Sequence, residues 1–213
     1  MKVTILTDNK NSWFIPYGLE LSEEISKIEG FDCEFVTNKR DVRDNNDVLF
    51  MLSCVNIVEK EILNKSKNNI VIHASDLPKG KGFSPLQWQV EEGASSITLT
   101  LFEAVDEVDA GPYYLKDSFT LDGTELLPEI REKMAILIKA MAIKYLKNYN
   151  SLAPVEQKGE EYHYSRRSEV NDELDISLSI EDQINKFRVA DNERFPLFFK
   201  YKNKKYFLRI SDE

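Results

Sequence analysis

Residues 1–102 alternate short runs rich in β-branched and aromatic residues with segments of helical period. The runs 3–7, 32–36, 47–53, 69–74 and 96–102 read as strands. Between them, 18–28 sets Leu19, Leu21, Ile25 and Ile28 among Glu and Lys, which predicts a helix with one apolar side. A second helix is predicted over 57–63, ahead of a Lys/Asn turn. Strands alternating with helices point to an α/β fold whose parallel sheet is covered by helices. The run 69–74 is nearly all apolar, the pattern of a strand covered on both faces at the centre of the sheet.

Asp122, Gly123 and Thr124 precede a long helical segment, 125–148, in which Leu126, Ile130, Met134, Ile138, Met141 and Tyr145 recur every three or four residues. That stripe reads as core packing. After Asn150 the composition shifts to Ser151, Pro154, Gly159 and mixed charge, so the pattern predicts an α/β domain over 1–150 and a small C-terminal extension over 151–213. Near its end, Phe199 to Lys202 and Lys205 to Ile210 alternate around Asn203 and Lys204, as in a β-hairpin.

Composition narrows the function. The chain has 213 residues, enough to bury a core without disulfides or structural metal. Lys plus Arg number 28 against 37 Asp plus Glu, a formal net charge of −9, which disfavours a nucleic-acid partner. The longest apolar stretch, 48–52, is far below the ~20 residues of a spanning helix, so no membrane span is expected. Met1 leads straight into a strand-like run without the pattern of a signal peptide, which predicts a cytoplasmic protein. Cys33 and Cys54 then read as buried thiols, and no metal site is expected. His73 and His163 are the only histidines, so imidazole chemistry has two places to sit.

The stretch from His73 to Pro85 begins where a central strand ends. In open α/β sheets the ligand crevice lies beyond the carboxyl ends of the strands, and a glycine-rich loop with Lys79 and Lys81 suits an anionic or carbonyl-bearing group. Asp109, ahead of Ala110, Gly111 and Pro112, stands in a turn that can fold back to the same crevice. A histidine held by a carboxylate can polarise a carbonyl or carry protons near neutral pH. The same residues also suit a structural histidine and a turn-forming aspartate.

His73, Ser75, Leu77, Pro78, Lys81, Gly82, Pro85, Gly93, Thr100, Asp109 and Gly111 together resemble the 10-formyltetrahydrofolate-dependent formyltransferase family, with His73 and Asp109 at an interval of 36 residues. The resemblance spans 69–114 and extends more weakly to Leu52, Ser53 and Leu63. It implies a Rossmann-like formyltransferase fold, mostly parallel, with His73 and Asp109 catalytic. The family's third catalytic residue, an asparagine, falls at Val71, which has no hydrogen-bond donor in its side chain. Asn69 shares that strand face but lies roughly 13 Å from His73 along an extended strand. The resemblance further implies a 10-formyltetrahydrofolate co-substrate read by backbone groups of Leu52, Ser53, Cys54, Ala104, Glu107, Val108 and Asp109, and no metal.

In the extension, Tyr164 to Arg167 and Asp191 to Pro196 resemble a branch associated with bacterial surface-sugar synthesis, which implies a nucleotide-linked amino sugar as acceptor. Trp13, Ser75, Lys79, Lys81, Gly82, Arg166 and Arg167 are its candidate contacts, the cationic groups facing the diphosphate. Trp13 equally suits packing, the lysines solvation, and the arginines pairing with Glu169 and Asp172. Glycinamide ribonucleotide as the acceptor, and a folate-binding protein without catalysis, are the alternatives. The extension could also form a homodimer interface.

Overall fold

The computed structural model describes residues 1–212. Its centre is a six-stranded sheet in the order β2-β1-β3-β4-β6-β7, formed by β1 (Lys2–Leu6), β2 (Asp32–Val36), β3 (Asn46–Met51), β4 (Ser66–His73), β6 (Ser96–Glu103) and β7 (Tyr113–Thr120). The strands β1 to β4 run parallel, whereas β6 is antiparallel to both β4 and β7. The fold is thus α/β and mostly parallel, as expected, with β6 departing from the parallel pattern read over 1–102. The reason is the path of the connection. A parallel return needs a crossover of a dozen or more residues, and the segment after His73 is spent on the short strand β5 (Lys79–Gly82) and the seven-residue helix α3 (Pro85–Glu91). The chain never travels back down the sheet, so β6 starts at the end where β4 stops.

Helices α1 (Ile15–Ser26) and α4 (Leu127–Lys147) cover one face of the sheet. Leu21 and Ile25 of α1 and Ile130, Met134, Ile138, Met141 and Tyr145 of α4 pack there with Val3, Ile5, Val48, Phe50, Ile70, Ile72, Leu99 and Leu101. Pro16 lies in the first turn of α1, where its missing N–H costs nothing, so the helix starts earlier than its apolar stripe suggests. The opposite face carries only the one-turn helix α2 (Lys60–Leu63) and a small cluster of Leu6, Val42, Leu49, Met51 and Ile62. Consequently β4 is fully covered on the Ile70 and Ile72 face alone. Asn69, Val71 and His73 on its other face are half-buried, which corrects the expectation of a strand enclosed on both sides.

The segment after α4 returns to the sheet's functional end. Its strand β8 (Tyr162–Tyr164) pairs in parallel with β5, and the short helix α5 (Ile184–Arg188) packs beside α3. The expected hairpin is present as β9 (Phe198–Tyr201) and β10 (Lys204–Phe207). Its turn falls on Lys202 and Asn203, both at positive φ, the pair of left-handed residues that matches strand twist in a two-residue turn. Among the described residues no helix is long and apolar enough to cross a membrane.

Candidate active site

His73 ends β4, and its Nε2 lies 2.8 Å from the carbonyl oxygen of Gly80 and 3.8 Å from Asp109 Oδ2. A carbonyl can only accept, so Nε2 carries a hydrogen and donates it to Gly80. The Asp109 carboxylate accepts the backbone N–H of Gly82 at 2.9 Å, and both side chains keep only about a tenth of their surface in solvent (11% and 10%). Asp109 itself sits at φ 56°, a left-handed conformation that aspartate tolerates better than bulkier residues. The fold-back that brings it here depends on Gly111, where a Cβ would stand 1.7 Å from the Glu103 carbonyl oxygen. No other residue permits so close an approach.

The loop 104–111 lies across the open face of β4, opposite the loop 52–59. Lys60 at the start of α2 approaches Asp106 at 3.8 Å, and the apolar side chains of Val55, Ile57, Val105 and Val108 stand exposed around the gap between the loops. Two of these four aliphatic side chains, Val105 and Val108, stand in the loop that carries Asp109, so apolar surface is exposed next to the carboxylate in the chain. Asp8 fixes the loop 52–59 by accepting the N–H groups of Val55 and Asn56 at 2.8 and 2.9 Å. Ser53, at φ 55°, shares a 3.1 Å contact between its hydroxyl and that of Ser12. Leu52 is fully buried, and its backbone already donates to Leu6 and accepts from Thr7 Oγ1. Ala104 donates its N–H to Asn69. Glu107 and Val108 are exposed at the loop tip. Cys54 is half-buried, as is Cys33, rather than enclosed. Burial pushes the Cys54 thiol up to about 12, with the Asp8 charge adding to it, so it stands neutral as a weak donor to Leu6.

Several predicted substrate contacts lie elsewhere than expected. Lys81 is not in an exposed loop: it keeps 2% of its surface, with Nζ 2.6 Å from Glu161 Oε1. Arg167 is bound by Glu91 and Asp172 at 2.5 and 3.4 Å, so its charge is already matched. Trp13 packs edge-on against Phe14 and Tyr17 with the Arg131 guanidinium over its ring. Lys79 stays exposed, and Arg166 stacks 4.4 Å from the centroid of Phe83, neither with a carboxylate partner among the described residues. Gly82 is in the site through its N–H, and the Ser75 hydroxyl is buried without a hydrogen-bond partner among those residues. No group of three or more metal-ligating side chains occurs among them.

The match to a protein-family model decides the class: the model for formyl transferases covers residues 22–146, strands β2 to β7 with the histidine and the aspartate loop together. The chain belongs to the formyl transferase family. It spans about two fifths of the length of the curated relatives it matches, such as a methionyl-tRNA formyltransferase of Rickettsia felis, 30% identical over 124 residues, covering 58% of this chain and 41% of the relative. Among solved structures, a methionyl-tRNA formyltransferase from Clostridium thermocellum superposes with a TM-score of 0.80 at 24% identity, over 96% of this chain and 90% of that one. A sugar N-formyltransferase from Shewanella gives 0.75 at 14% identity, over 100% and 98%. HypX from Aquifex aeolicus in complex with tetrahydrofolic acid gives 0.77 at 16%, over 96% and 36%.

In this member of the family Val71 points to the same half-open face as His73 and packs with the apolar cluster under α2, so no side-chain donor stands there. Asn69 does not reach up to replace it, because its Nδ2 is held by the Leu63 carbonyl at 3.2 Å. Sequence reasoning missed the residues that hold the pair from the extension. Gln157 donates from Nε2 to the carbonyls of Asp109 and Gly111 at 2.9 and 2.7 Å, and nothing in the local pattern around Gln157 marks it out.

Proposed function

We propose that this formyl transferase moves the formyl group of 10-formyltetrahydrofolate to the amine of a nucleotide-linked amino sugar, in the cytoplasm, as a step of surface-glycan synthesis. The observation that carries the reading is the His73–Asp109 pair, 3.8 Å apart and largely shielded from solvent. The neutral amine attacks the formyl carbon and its lone pair becomes the new C–N bond, while the carbonyl electrons move to oxygen. His73 carries a proton or steadies that oxygen, and Asp109 takes the proton of the ammonium. The bond from carbon to the folate nitrogen then breaks, and that nitrogen takes up the proton Asp109 removed, which restores the carboxylate. The steps need no metal.

The loops 52–54 and 104–109 are assigned to the folate. Lys79 and Arg166, with charges unmatched by carboxylates, are assigned to the acceptor's diphosphate, and Trp13, Ser75 and Gly82 to the sugar end. Lys81 and Arg167 are withdrawn from direct phosphate contact, because each is engaged by acids. Residues 1–150 form the catalytic unit in this reading, and 151–213 an extension that supports it and offers a surface for a second copy. Matched relatives act on methionyl-tRNA, but a net charge of −9 favours a small acceptor. Val71 favours one alternative, folate binding without turnover, since one oxyanion donor is commonly worth ~3 kcal/mol. Ser53 or Ser75 would have to supply it.

The test is a mass-spectrometric assay with 10-formyltetrahydrofolate and a panel of UDP-, dTDP- and GDP-linked amino sugars, with glycinamide ribonucleotide alongside. A sugar product gaining one formyl group, absent with His73→Ala and Asp109→Ala, supports the proposal. Folate binding without any formylated acceptor would support the binding-only reading instead.

A further inference from the structure

The catalytic pair is not held by its own strand and loop alone. His73 is anchored through the Gly80 carbonyl and Asp109 through the Gly82 N–H, the two residues flanking Lys81. Those three residues belong to β5, which has no partner in the main sheet and pairs only with β8 of the extension. Phe83 donates its N–H to the Tyr164 carbonyl at 3.2 Å, continuing that pairing. At Gly82 a Cβ would lie 2.5 Å from the same oxygen, so the two strands meet with no room for a side chain. Lys81 is buried between the two anchors, and its ammonium is tied to Glu161, the residue just before β8. Gln157 reaches from the same stretch to the backbone of the Asp109 loop.

We propose that residues 157–164 form a clamp that sets the spacing of His73 and Asp109, with Gln157 and Glu161 acting as positioning residues through the Asp109 loop and Lys81. This deepens the transferase reading and rests on it. The geometry makes spacing the controlling variable. At 3.8 Å the pair stands about 1 Å beyond hydrogen-bond distance, so a shift of that size decides whether the carboxylate orients the ring. Misplacements of about 1 Å can cost around a hundredfold in rate. Both grips come from outside the sheet, so Gln157 and Glu161 can alter the pair without touching folate or acceptor.

The experiment compares Gln157→Ala, Glu161→Ala and Lys81→Met with the conservative Glu161→Asp and Lys81→Arg, in the full chain. The clamp predicts that kcat falls about tenfold or more in the first three while KM for both substrates stays within twofold, and that the conservative pair recovers most of it. In parallel, 15N spectra of the histidines, assigned with His163→Gln, should show His73 protonated at Nε2 and altered in Gln157→Ala. Folded variants with unchanged kcat and unchanged His73 signals would overturn the clamp, as would losses confined to KM. If the unaltered chain transfers no formyl group, the transferase reading fails, and the nitrogen spectra alone still decide whether the clamp holds the ring.

Discussion

Glu125→Gln is expected to weaken the fold in a way that depends on pH. Glu125 keeps 4% of its side-chain surface, and so does its partner Arg188 in α5, whose Nη2 lies 3.1 Å from Glu125 Oε2. The carboxylate also takes Lys133 at 2.5 Å and the N–H groups of Asp122 and Gly123 at 3.0 and 3.1 Å. Burial pushes this carboxyl up, but the Lys133 hydrogen bond and the backbone donors outweigh it and hold it at about 2, against 4.5 for the free group. A depressed folded-state value stabilises the protein above the unfolded pKa, and the benefit is lost as pH falls through the folded one. At 1.36 kcal/mol per unit, the difference amounts to about 3 kcal/mol at neutral pH. Roughly 1.4 kcal/mol of that is gone by pH 3.5, and all of it below pH 2. Urea unfolding of both proteins at pH 7, 5 and 3.5 measures the gap. The glutamine variant should be less stable by about 3 kcal/mol at pH 7 and 5, with the gap narrowing at pH 3.5. A gap that does not change between pH 5 and pH 3.5 would refute the argument, since it would mean that Glu125 titrates alike in both states.

His73→Ala and Asp109→Asn should each lower formyl transfer by about 10²- to 10⁴-fold with little change in folate affinity, read by product mass and by fluorescence titration of the folate. Gly111→Ala should cost both stability and turnover, because the new Cβ meets the Glu103 carbonyl at 1.7 Å and the Asp109 loop must move; a thermal melt together with the transfer assay separates the two losses. Cys54, pushed up to about 12, should react with iodoacetamide at pH 8 at least a hundredfold more slowly than a free thiol. Peptide mapping of the alkylated chain would show it, and labelling as fast as in urea would contradict the half-buried, neutral thiol.

Much of the fold was legible from the chain itself, because strands and helices write their period into the sequence. The parallel strands β1 to β4, the long helix α4 and the terminal hairpin all carry that local signal. The meeting of His73 and Asp109 was legible too, since a histidine at a strand end and a carboxylate ahead of Ala-Gly-Pro are local features. The direction of β6 was not, because it depends on how much chain the site loop consumes before the next strand begins. Nor was the use of Lys81 and Arg167. A lysine in a glycine-rich loop looks solvated until a glutamate eighty residues later is seen to close over it. Residue types and their spacing determined the α/β sheet and the His73–Asp109 pair. Only the tertiary structure decided what holds that pair, because hydrogen bonds from Gln157 and strand pairing by β8 depend on proximity in space, which leaves no period in the sequence.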